Sequence, residues 1–529
     1  MDDNYLTIYP TCRRILGDEI WDRTLAALGD GDPGSFSERL RRVEPTRSFP
    51  GYMADLALLE WTVKTLLSRA VDFSIKPDTT AVNPALVLLP LAWKQLPLLL
   101  ESPDAGQAPA PEPGQTHVLA WVHPKTGRPM FREALDDDLL ALKLVVEGID
   151  FKSAAVAGNT SVARIRSILV QGVENGILVA PESGIRRDLS FMPVIPDLEP
   201  FLAAPVFTLQ WHITQACDLH CRHCYDRSDR SPLELENARR ILDDFVDFTS
   251  LMHVQGQVTF TGGNPLLYPH FKDLYREASE RGFNLAILGH PSHAGQIDPI
   301  LEIQEPGFYQ ISLEGLELYN DYIRGEGHFQ RSLAFLDLLR ARGVYAMVML
   351  TLNRDNMDQV LPLAEVLRTR ADAFTFNRLA MVGEGANLCL PDPADFKRFL
   401  QSYASAAASN PILTLKDNLI NILFKEAGRE VFGGCTGYGC GAAFNFVSLL
   451  PDGEVHACRK FPSSIGNINN NTLAEIFNSP RARQYREGSR ACSGCSLSAV
   501  CRGCFAVAYG MGLDVFADRD PFCFYSRHS

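Results

Sequence analysis

The sequence has little that would bring the protein to a membrane or to nucleic acid. Its formal net charge is −13, and an excess of acidic residues repels phosphate and anionic lipid. The acidic first residues, "MDDNYLTIYP", lack the basic and then apolar pattern of a signal peptide. The most apolar stretch, residues 82–100, is broken by prolines and contains Lys94, so we do not expect it to span a bilayer. These features predict a cytoplasmic protein with no membrane or nucleic-acid partner.

Scattered cysteine pairs, the usual sign of disulfide bonds, are also missing. The chain has 13 cysteines, and all but Cys12 and Cys389 lie in tight clusters. In a chain without an export signal, such clusters indicate metal binding more often than disulfides. We expect the two isolated cysteines to be buried free thiols.

The first part of the chain is predicted to contain two modules joined by a linker. Residues 1–100 have the apolar periodicity of a helical domain. Residues 101–116, "ESPDAGQAPAPEPGQT", have the composition of a linker. Residues 117–195 predict two strands around a Pro-Lys-Thr-Gly turn, then three helices, the last from about Thr160 to Asn175, and a short returning strand.

From about residue 205, buried apolar strands alternate with amphipathic helices. This alternation predicts a parallel α/β sheet. About six strand–helix units fit residues 205–400, fewer than the eight of a complete TIM barrel. In such folds the chemistry lies at the C-terminal ends of the strands. A polar or metal-binding motif just after a strand is therefore a candidate site.

The first such motif is "CDLHCRHC", which holds Cys217, Cys221 and Cys224 just after the first strand of this region. An iron–sulfur cubane normally has four thiolate ligands, so three cysteines leave one iron open to a small molecule. Zinc is the alternative, with His220 or His223 as the fourth ligand. The later strand ends carry "FTGGNP" at 260–265 and "SLEG" at 312–315.

Together these motifs resemble the radical S-adenosylmethionine (SAM) superfamily, whose signature is C-x3-C-x2-C with an aromatic residue beside the last cysteine. The resemblance implies that SAM binds the open iron and is cleaved to a 5′-deoxyadenosyl radical that abstracts hydrogen. The implied SAM contacts are Tyr225, Gly262, Gly263, Asn264, Ser312, Glu314 and Arg324. The family usually has glutamate where this chain has Asn264. That loss of charge predicts weaker SAM binding unless another carboxylate replaces it.

Eight further cysteines lie in the C-terminal region, enough for two sets of four. "CSGCSLSAVCRGC" at 492–504 could by itself be a zinc knuckle. The wider pattern resembles the SPASM extension of radical SAM peptide and protein maturases. That resemblance implies one auxiliary [4Fe–4S] cluster on Cys435, Cys440, Cys458 and Cys504 and a second on Cys492, Cys495, Cys501 and Cys523. With the cluster of the first loop, the chain would bind three [4Fe–4S] clusters.

The predicted fold is therefore a partial (β/α)6 TIM-type radical SAM barrel with a C-terminal cysteine-rich SPASM domain. A helical domain and a winged-helix-like peptide-recognition module precede it. We expect the radical SAM core at 205–410 and the SPASM domain at 425–529. The stretches "TLNRDN", "FNRLAMVGEGA" and "GCGAAFNFVSLLPDGEVHACRKFP" most resemble the selenobiotic-type peptide maturases.

That subgroup implies a precursor peptide rich in cysteine or selenocysteine, bound through its leader and converted to a thioether or azole-type product. An electron donor such as flavodoxin or ferredoxin is implied as well. One alternative is a sulfatase-maturase-type oxidase of a protein Cys or Ser. The other is an iron–sulfur redox sensor that binds DNA through residues 117–195. DNA binding needs a basic face, but the third helix offers only Arg164 and Arg166, and three aspartates, residues 136–138, open the first.

Overall fold

The computed structural model describes residues 5, 7–29, 31–43, 49–66, 68, 71–73, 76–102, 109–192, 196–231 and 233–525. The chain divides into two compact units, Met1–Glu182 and Ser183–Ser529. None of the described helices is long and apolar enough to cross a membrane. The boundary at residue 182 comes before residue 195, where the winged-helix-like module was predicted to end.

The first unit begins with helices packed around buried aromatic side chains. The helices are α1 (Pro10–Leu16), α2 (Asp18–Leu28), α3 (Phe36–Val43) and α4 (Met53–Leu66). Glu60 on α4 is buried, and its carboxylate accepts hydrogen bonds from the Thr11 and Cys12 amides at 2.6 and 2.9 Å. Those amides have no partner within α1 because they lie in its first turn. The acid therefore fixes α1 against α4.

A three-stranded antiparallel sheet follows, and it includes the two strands predicted around the Pro-Lys-Thr-Gly turn. Its order is β2 (Val87–Lys94), β3 (Glu112–Val122) and β4 (Pro129–Glu133). The helical prediction for residues 1–100 is wrong at β2, whose alternately buried side chains pack on the helices of this unit. The linker prediction is wrong at residues 112–116, which pair with β2. Residues 103–108 of the linker lie outside the described residues.

The rest of the first unit has the predicted order of elements. A short helix, α5 (Leu96–Glu101), precedes β3. After β4 come α6 (Asp136–Glu147), α7 (Phe151–Ala157), α8 (Val162–Glu174) and β5 (Leu178–Val179). The returning strand β5 pairs with β1 (Ala81–Val82), which precedes the predicted module in sequence.

The second unit contains an open sheet whose first six strands run parallel in chain order, as the alternation predicted. These are β6 (Val206–Thr214), β7 (Gln255–Gly262), β8 (Asn284–Leu288), β9 (Tyr309–Ser312), β10 (Ala346–Leu352) and β11 (Ala373–Arg378). The helices between and after them are α9 (Leu235–Leu251), α10 (Phe271–Glu280), α11 (Ala294–Leu301), α12 (Glu317–Arg324), α13 (His328–Ala341), α14 (Val360–Leu367), α15 (Pro393–Ala407) and α16 (Ile420–Glu426).

The C-terminal region extends this sheet rather than standing apart from it. β12 (Phe446–Leu449) lies parallel to β6, and β13 (Glu454–His456) and β14 (Ser464–Asn467) continue the sheet as antiparallel strands. Three helices complete the chain: α17 (Leu473–Asn478), α18 (Pro480–Glu487) and α19 (Phe505–Gly510). Phe477 on α17 packs edge-on against Phe207 on β6, so one apolar core is shared by the sheet and the cysteine-rich region.

Candidate active site

The three cysteines of the first loop lie together at the C-terminal ends of the parallel strands. Cys217, Cys221 and Cys224 line a cavity of about 460 Å³. The same cavity is lined from β7 by Gly262 and Gly263 and from other strand ends by His290, Ser312 and Arg378. Tyr225 and Arg324 line it too. The cavity is at the position where parallel α/β folds carry their chemistry.

The glycine pair lets the end of β7 approach the cysteine loop closely. Gly262 has a φ of 144°, and a Cβ placed on it would lie 2.2 Å from the Thr214 carbonyl oxygen. A Cβ on Gly263 would lie 2.2 Å from the Ala216 carbonyl oxygen. The Gly263 amide donates to Thr214 at 2.9 Å. Glycine is therefore required here to hold the backbone that leads into Cys217.

Asn264 does not line the cavity, although the sequence predicted that its amide oxygen would contact SAM. The side chain is buried, and its Oδ1 accepts a hydrogen bond from the Leu266 amide at 3.3 Å. Its Nδ2 donates to Asp218 Oδ1 at 3.4 Å. The structure therefore places the acceptor oxygen of Asn264 in its own turn. Asp218, the acceptor of its donor atom, belongs to the cysteine loop.

Glu314 is the centre of a buried ion-pair network rather than part of the cavity wall. Its Oε1 accepts hydrogen bonds from Arg324 Nε at 2.9 Å and lies 3.1 Å from His223 Nε2, while its Oε2 accepts from the Thr351 amide at 2.8 Å. Burial raises the pKa of Glu314, but His223 and Arg324 outweigh it and lower the pKa to about 2. Arg324 Nη1 in turn lies 3.7 Å from Cys221 Sγ. Glu314 thus anchors Arg324 and the cysteine loop.

The histidines suggested as zinc ligands have other partners. His223 is bound to Glu314, and His220 is exposed, with its Nδ1 3.2 Å from Arg227 Nη1. His290, which no sequence motif marks, lies with its Nε2 4.0 Å from Cys217 Sγ. The hydroxyl of Tyr225 lies 3.5 Å from His212 Nε2. The loop therefore places three thiols at the cavity, and His223 Nδ1 has no hydrogen-bond partner among the described residues.

The first predicted set of C-terminal cysteines lies around a second cavity, of about 420 Å³. Its lining includes all four members of that set, Cys435, Cys440, Cys458 and Cys504. Burial, and then the neighbouring Cys504 and Cys435 thiols, raise the pKa of Cys440 to about 12. Buried thiols that oppose one another's ionisation in this way suit a metal cluster, which holds cysteine as thiolate.

The other four C-terminal cysteines also lie near one another. Burial, followed by the nearby Cys495 and Cys523, raises the pKa of Cys492 to about 11. Cys501 is buried and interacts with both Cys492 and Cys523.

None of the 13 cysteines, all of which are among the described residues, forms a disulfide. Of the two isolated cysteines, Cys12 is buried as predicted; the prediction is wrong for Cys389, which lies exposed in a loop.

A buried arginine that no sequence motif marks joins the strand ends to both C-terminal cysteine sets. Arg378, the last residue of β11, donates to Asp417 at 2.8 Å and to the two carboxylate oxygens of Asp520 at 2.8 and 2.6 Å. Asp520 accepts from the Cys504 amide at 2.8 Å and from the Phe522 amide at 3.0 Å. The Cys523 amide donates to the Asp520 carbonyl at 2.9 Å. Only its position at a strand end could have drawn attention to Arg378.

Comparison with known proteins agrees with this arrangement. Residues 211–367 match the Radical SAM superfamily, and residues 440–504 match the SPASM iron–sulfur cluster-binding domain. The mycofactocin maturase MftC of Mycobacterium ulcerans is 29% identical over 62% of this chain and 90% of its own length. The subtilosin biosynthesis protein AlbA of Bacillus subtilis is 25% identical over 56% of this chain and 66% of its own.

Similarity also extends to an AdoMet-dependent heme synthase and to a solved structure with a bound peptide. The AdoMet-dependent heme synthase of Nitratidesulfovibrio vulgaris is 26% identical over 60% of this chain and 92% of its own length. The crystal structure of Streptococcus suis SuiB bound to its precursor peptide SuiA superposes with a TM-score of 0.51 at 15% identity. That structure covers 77% of this chain and 96% of its own. At this identity the superposition supports the fold.

The strand-end cysteine loop lies inside residues 211–367, which match the Radical SAM superfamily, whose members are enzymes. Radical SAM domains bind SAM and a [4Fe–4S] cluster, and the SPASM domain binds additional iron–sulfur clusters. The two cavities and their thiols fit these groups.

Proposed function

We propose that this enzyme is a peptide maturase that modifies a ribosomally made precursor at an unactivated carbon. The observation that carries the proposal is that the two thiol-lined cavities adjoin. Asn377, Arg378, Arg459 and Lys460 line both of them. AlbA and MftC are named for peptide maturation, and SuiB was solved with a precursor peptide. Those relatives support a peptide substrate for this chain as well.

The proposed ligand sets follow the grouping of the thiols. Cys217, Cys221 and Cys224 would hold the cluster at which SAM binds, with Ser312 and Arg324 beside it in the cavity wall. The four cysteines of the second cavity would hold one auxiliary cluster, and Cys492, Cys495, Cys501 and Cys523 the other. When bound and reduced, the first cluster with SAM supplies a 5′-deoxyadenosyl radical. Three cubanes correspond to about twelve irons per chain.

The proposed reaction forms a sulfur–carbon bond in a cysteine- or selenocysteine-rich precursor. Such a bond replaces one S–H and one C–H bond, so a hydrogen atom leaves the carbon with 5′-deoxyadenosine and a proton leaves the sulfur. One electron must then be removed from the product. Clusters ligated entirely by protein are suited to carry electrons. A flavodoxin or ferredoxin is the proposed source of the electron that starts the reaction.

The sheet of the first unit offers an edge for the leader of the precursor. Within the described ranges β4 pairs only with β3, and Met130 on β4 and Leu135 just after it are exposed. An extended peptide can add to such an edge through backbone hydrogen bonds, with apolar contacts setting specificity. DNA is a poorer fit for this module because Arg164 is paired with Asp137 at 2.7 Å and the Arg166 guanidinium lies 5.7 Å from the ring centre of Phe151.

Substitution at this edge tests the proposal. In Met130→Asp/Leu135→Asp, we expect kcat/KM for a leader-bearing precursor to fall at least about tenfold, the loss of a hot-spot contact. SAM cleavage without peptide should stay unchanged. The control is Leu251→Asp, which alters an equally exposed leucine at the end of α9. Equal modification by the double variant and the control would contradict leader binding at β4.

A further inference from the structure

Two buried arginines of the second unit have no role in the function described so far. Arg187 lies in the segment that precedes β6, and Arg502 lies between Cys501 and Cys504. Arg187 is 5% exposed and Arg502 is 7% exposed. Both donate hydrogen bonds to the carbonyl oxygen of Arg486. Two positive charges therefore meet in the interior of the protein, where water does not screen them.

The acceptors of these two arginines, in the part of the chain that the structure describes, are carbonyl oxygens rather than carboxylates. Arg187 Nη2 donates to the carbonyls of Tyr438 and Cys440 at 2.7 and 2.8 Å, and Arg502 Nε donates to that of Ser498 at 3.0 Å. Arg187 Nε is buried and has no hydrogen-bond partner among the described residues. A buried cation is costly unless an anion lies near it. Another source of negative charge is therefore needed here.

The groups near these arginines that can carry negative charge are thiols of both auxiliary sets. Cys440, from the set around the second cavity, interacts electrostatically with both arginines. Cys492 and Cys501, from the other set, interact with Arg502. Arg187 thus lies beside one cysteine set, and Arg502 lies between the two. A cubane held by four thiolates is an anion, and reduction adds a further negative charge to it.

The other cations near these thiols have different surroundings. Arg378 is paired with two buried carboxylates. Arg459 and Lys460 line both cavities, where they can meet substrate and water. Arg187 and Arg502 line neither cavity. Their charges are therefore directed to the thiols rather than to a substrate.

We propose that Arg187 and Arg502 balance the charge of the two auxiliary clusters and raise their reduction potentials. This inference rests on the cysteine sets assigned under the proposed function. A fixed buried cation stabilises a nearby anion more strongly after that anion has gained an electron, because the Coulomb energy grows with the charge. Net charge is one of the properties that set the potential of an iron–sulfur cluster. The two arginines would thus favour transfer of the electron that the product must lose to the auxiliary clusters.

The test is a redox titration of the auxiliary clusters, followed by electron paramagnetic resonance. It uses the anaerobically reconstituted variant in which the three loop cysteines are alanine, so that only auxiliary clusters contribute. Arg187→Gln removes the charge but keeps a donor for the carbonyls. We expect it to lower the ratio of reduced to oxidised cluster at a fixed potential at least about tenfold, a shift of about 59 mV for one electron. This shift should affect one auxiliary cluster in Arg187→Gln and both in Arg502→Gln.

Two further variants separate the effect of charge from a merely structural effect. Arg187→Lys keeps the positive charge, so its ratio should change less than about threefold. Arg39→Gln is the matched control, because Arg39 donates to the carbonyls of Leu28 and Gly29 at 3.4 and 3.0 Å and its buried Nε also lacks a partner among the described residues. It should leave both potentials unchanged.

The outcomes distinguish this inference from the proposed function. Unchanged potentials in both glutamine variants, or equal shifts in Arg187→Gln and Arg187→Lys, would overturn the inference. Loss of auxiliary iron from Arg187→Lys as well as from Arg187→Gln would also overturn it, whereas iron lost only from the glutamine variant would support the role of the charge. If the variant with three alanines bound no iron even with both arginines intact, the cysteine sets of the proposed function would themselves be refuted.

Discussion

Removal of the Arg378 guanidinium tests whether the strand ends and the auxiliary cysteines form one structural unit. The arginine is 2% exposed, and its partners Asp417 and Asp520 are 7% and 1% exposed. In Arg378→Leu both carboxylates would remain buried without a counterion, which typically costs about 3–5 kcal/mol. Asp520 also accepts from the Cys504 and Phe522 amides. A shift of its carboxylate should therefore disturb both auxiliary cysteine sets.

The assay measures the unfolding midpoint and the iron content of each variant under anaerobic conditions. Arg342→Leu is the matched control because Arg342 also binds one carboxylate, that of Asp298, through two nitrogens, at 2.8 and 3.1 Å. That pair is 37% and 43% exposed, and such pairs contribute only about 0–1 kcal/mol. We expect Arg378→Leu to lower the midpoint several times more than the control and to lose auxiliary iron. The unfolding midpoint of Arg378→Lys should lie between those of the two leucine variants, because lysine keeps the charge but lacks the planar guanidinium that binds both carboxylates. Equal midpoints in the two leucine variants would refute this reasoning.

Three further predictions follow from the same geometry. Replacing the three loop cysteines together by alanine should abolish SAM cleavage and leave the absorbance of the auxiliary clusters; cleavage that survives would place the radical site elsewhere. Gly262→Ala should prevent loading of the loop's cluster, because its Cβ would meet the Thr214 carbonyl. The control Gly428→Ala, also at a positive φ but with no atom nearby, should load its cluster normally. Similar iron content in the two variants would contradict the close approach of β7 to the cysteine loop. The pKa of Glu314 is lowered to about 2 in the folded protein. The charged carboxylate therefore stabilises the fold fully above its unfolded pKa, about 4.3. This stabilisation is lost as the pH falls through 2. The difference in unfolding midpoint between wild-type apoprotein and Glu314→Gln should therefore be constant at neutral pH and shrink below about pH 4; a difference that begins to shrink near pH 6 would count against the network.

The parts of the fold that the sequence predicted are those fixed by local pattern. Apolar strands that alternate with helices predicted the parallel sheet, because every strand–helix unit repeats the same pattern of buried apolar residues. The division of the C-terminal thiols into two sets came from the resemblance to the SPASM extension; the spacing within 492–504 also fitted a zinc knuckle. The strand at 87–94 was missed because its leucines and its proline resemble a broken apolar helix. Its partner, β3, begins within a segment whose composition is typical of a linker.

The parts of the site that the sequence did not predict depend on contacts between distant residues. Glu314 matched a motif position, but only burial and its partners Arg324 and His223 show that it anchors the loop instead of lining the cavity. Arg378 and Asp520 are 142 positions apart, so no local pattern joins them. The same holds for Asp218 and His290, which are 72 positions apart in the loops that follow β6 and β8. Ion pairs of this kind require the tertiary structure.

Mass spectrometry of a co-expressed precursor is the most direct test of the proposal that this enzyme modifies a precursor peptide. The candidate is a cysteine- or selenocysteine-rich peptide encoded beside the gene, co-expressed under anaerobic conditions with wild-type enzyme or with the triple alanine variant of the loop cysteines. The account predicts a product lighter by two hydrogen atoms per sulfur–carbon bond, formed only with the wild-type enzyme. Conversion of a single Cys or Ser to an aldehyde would instead indicate an oxidase of the sulfatase-maturase type. A peptide of unchanged mass, together with modification of some other class of substrate, would contradict the claim.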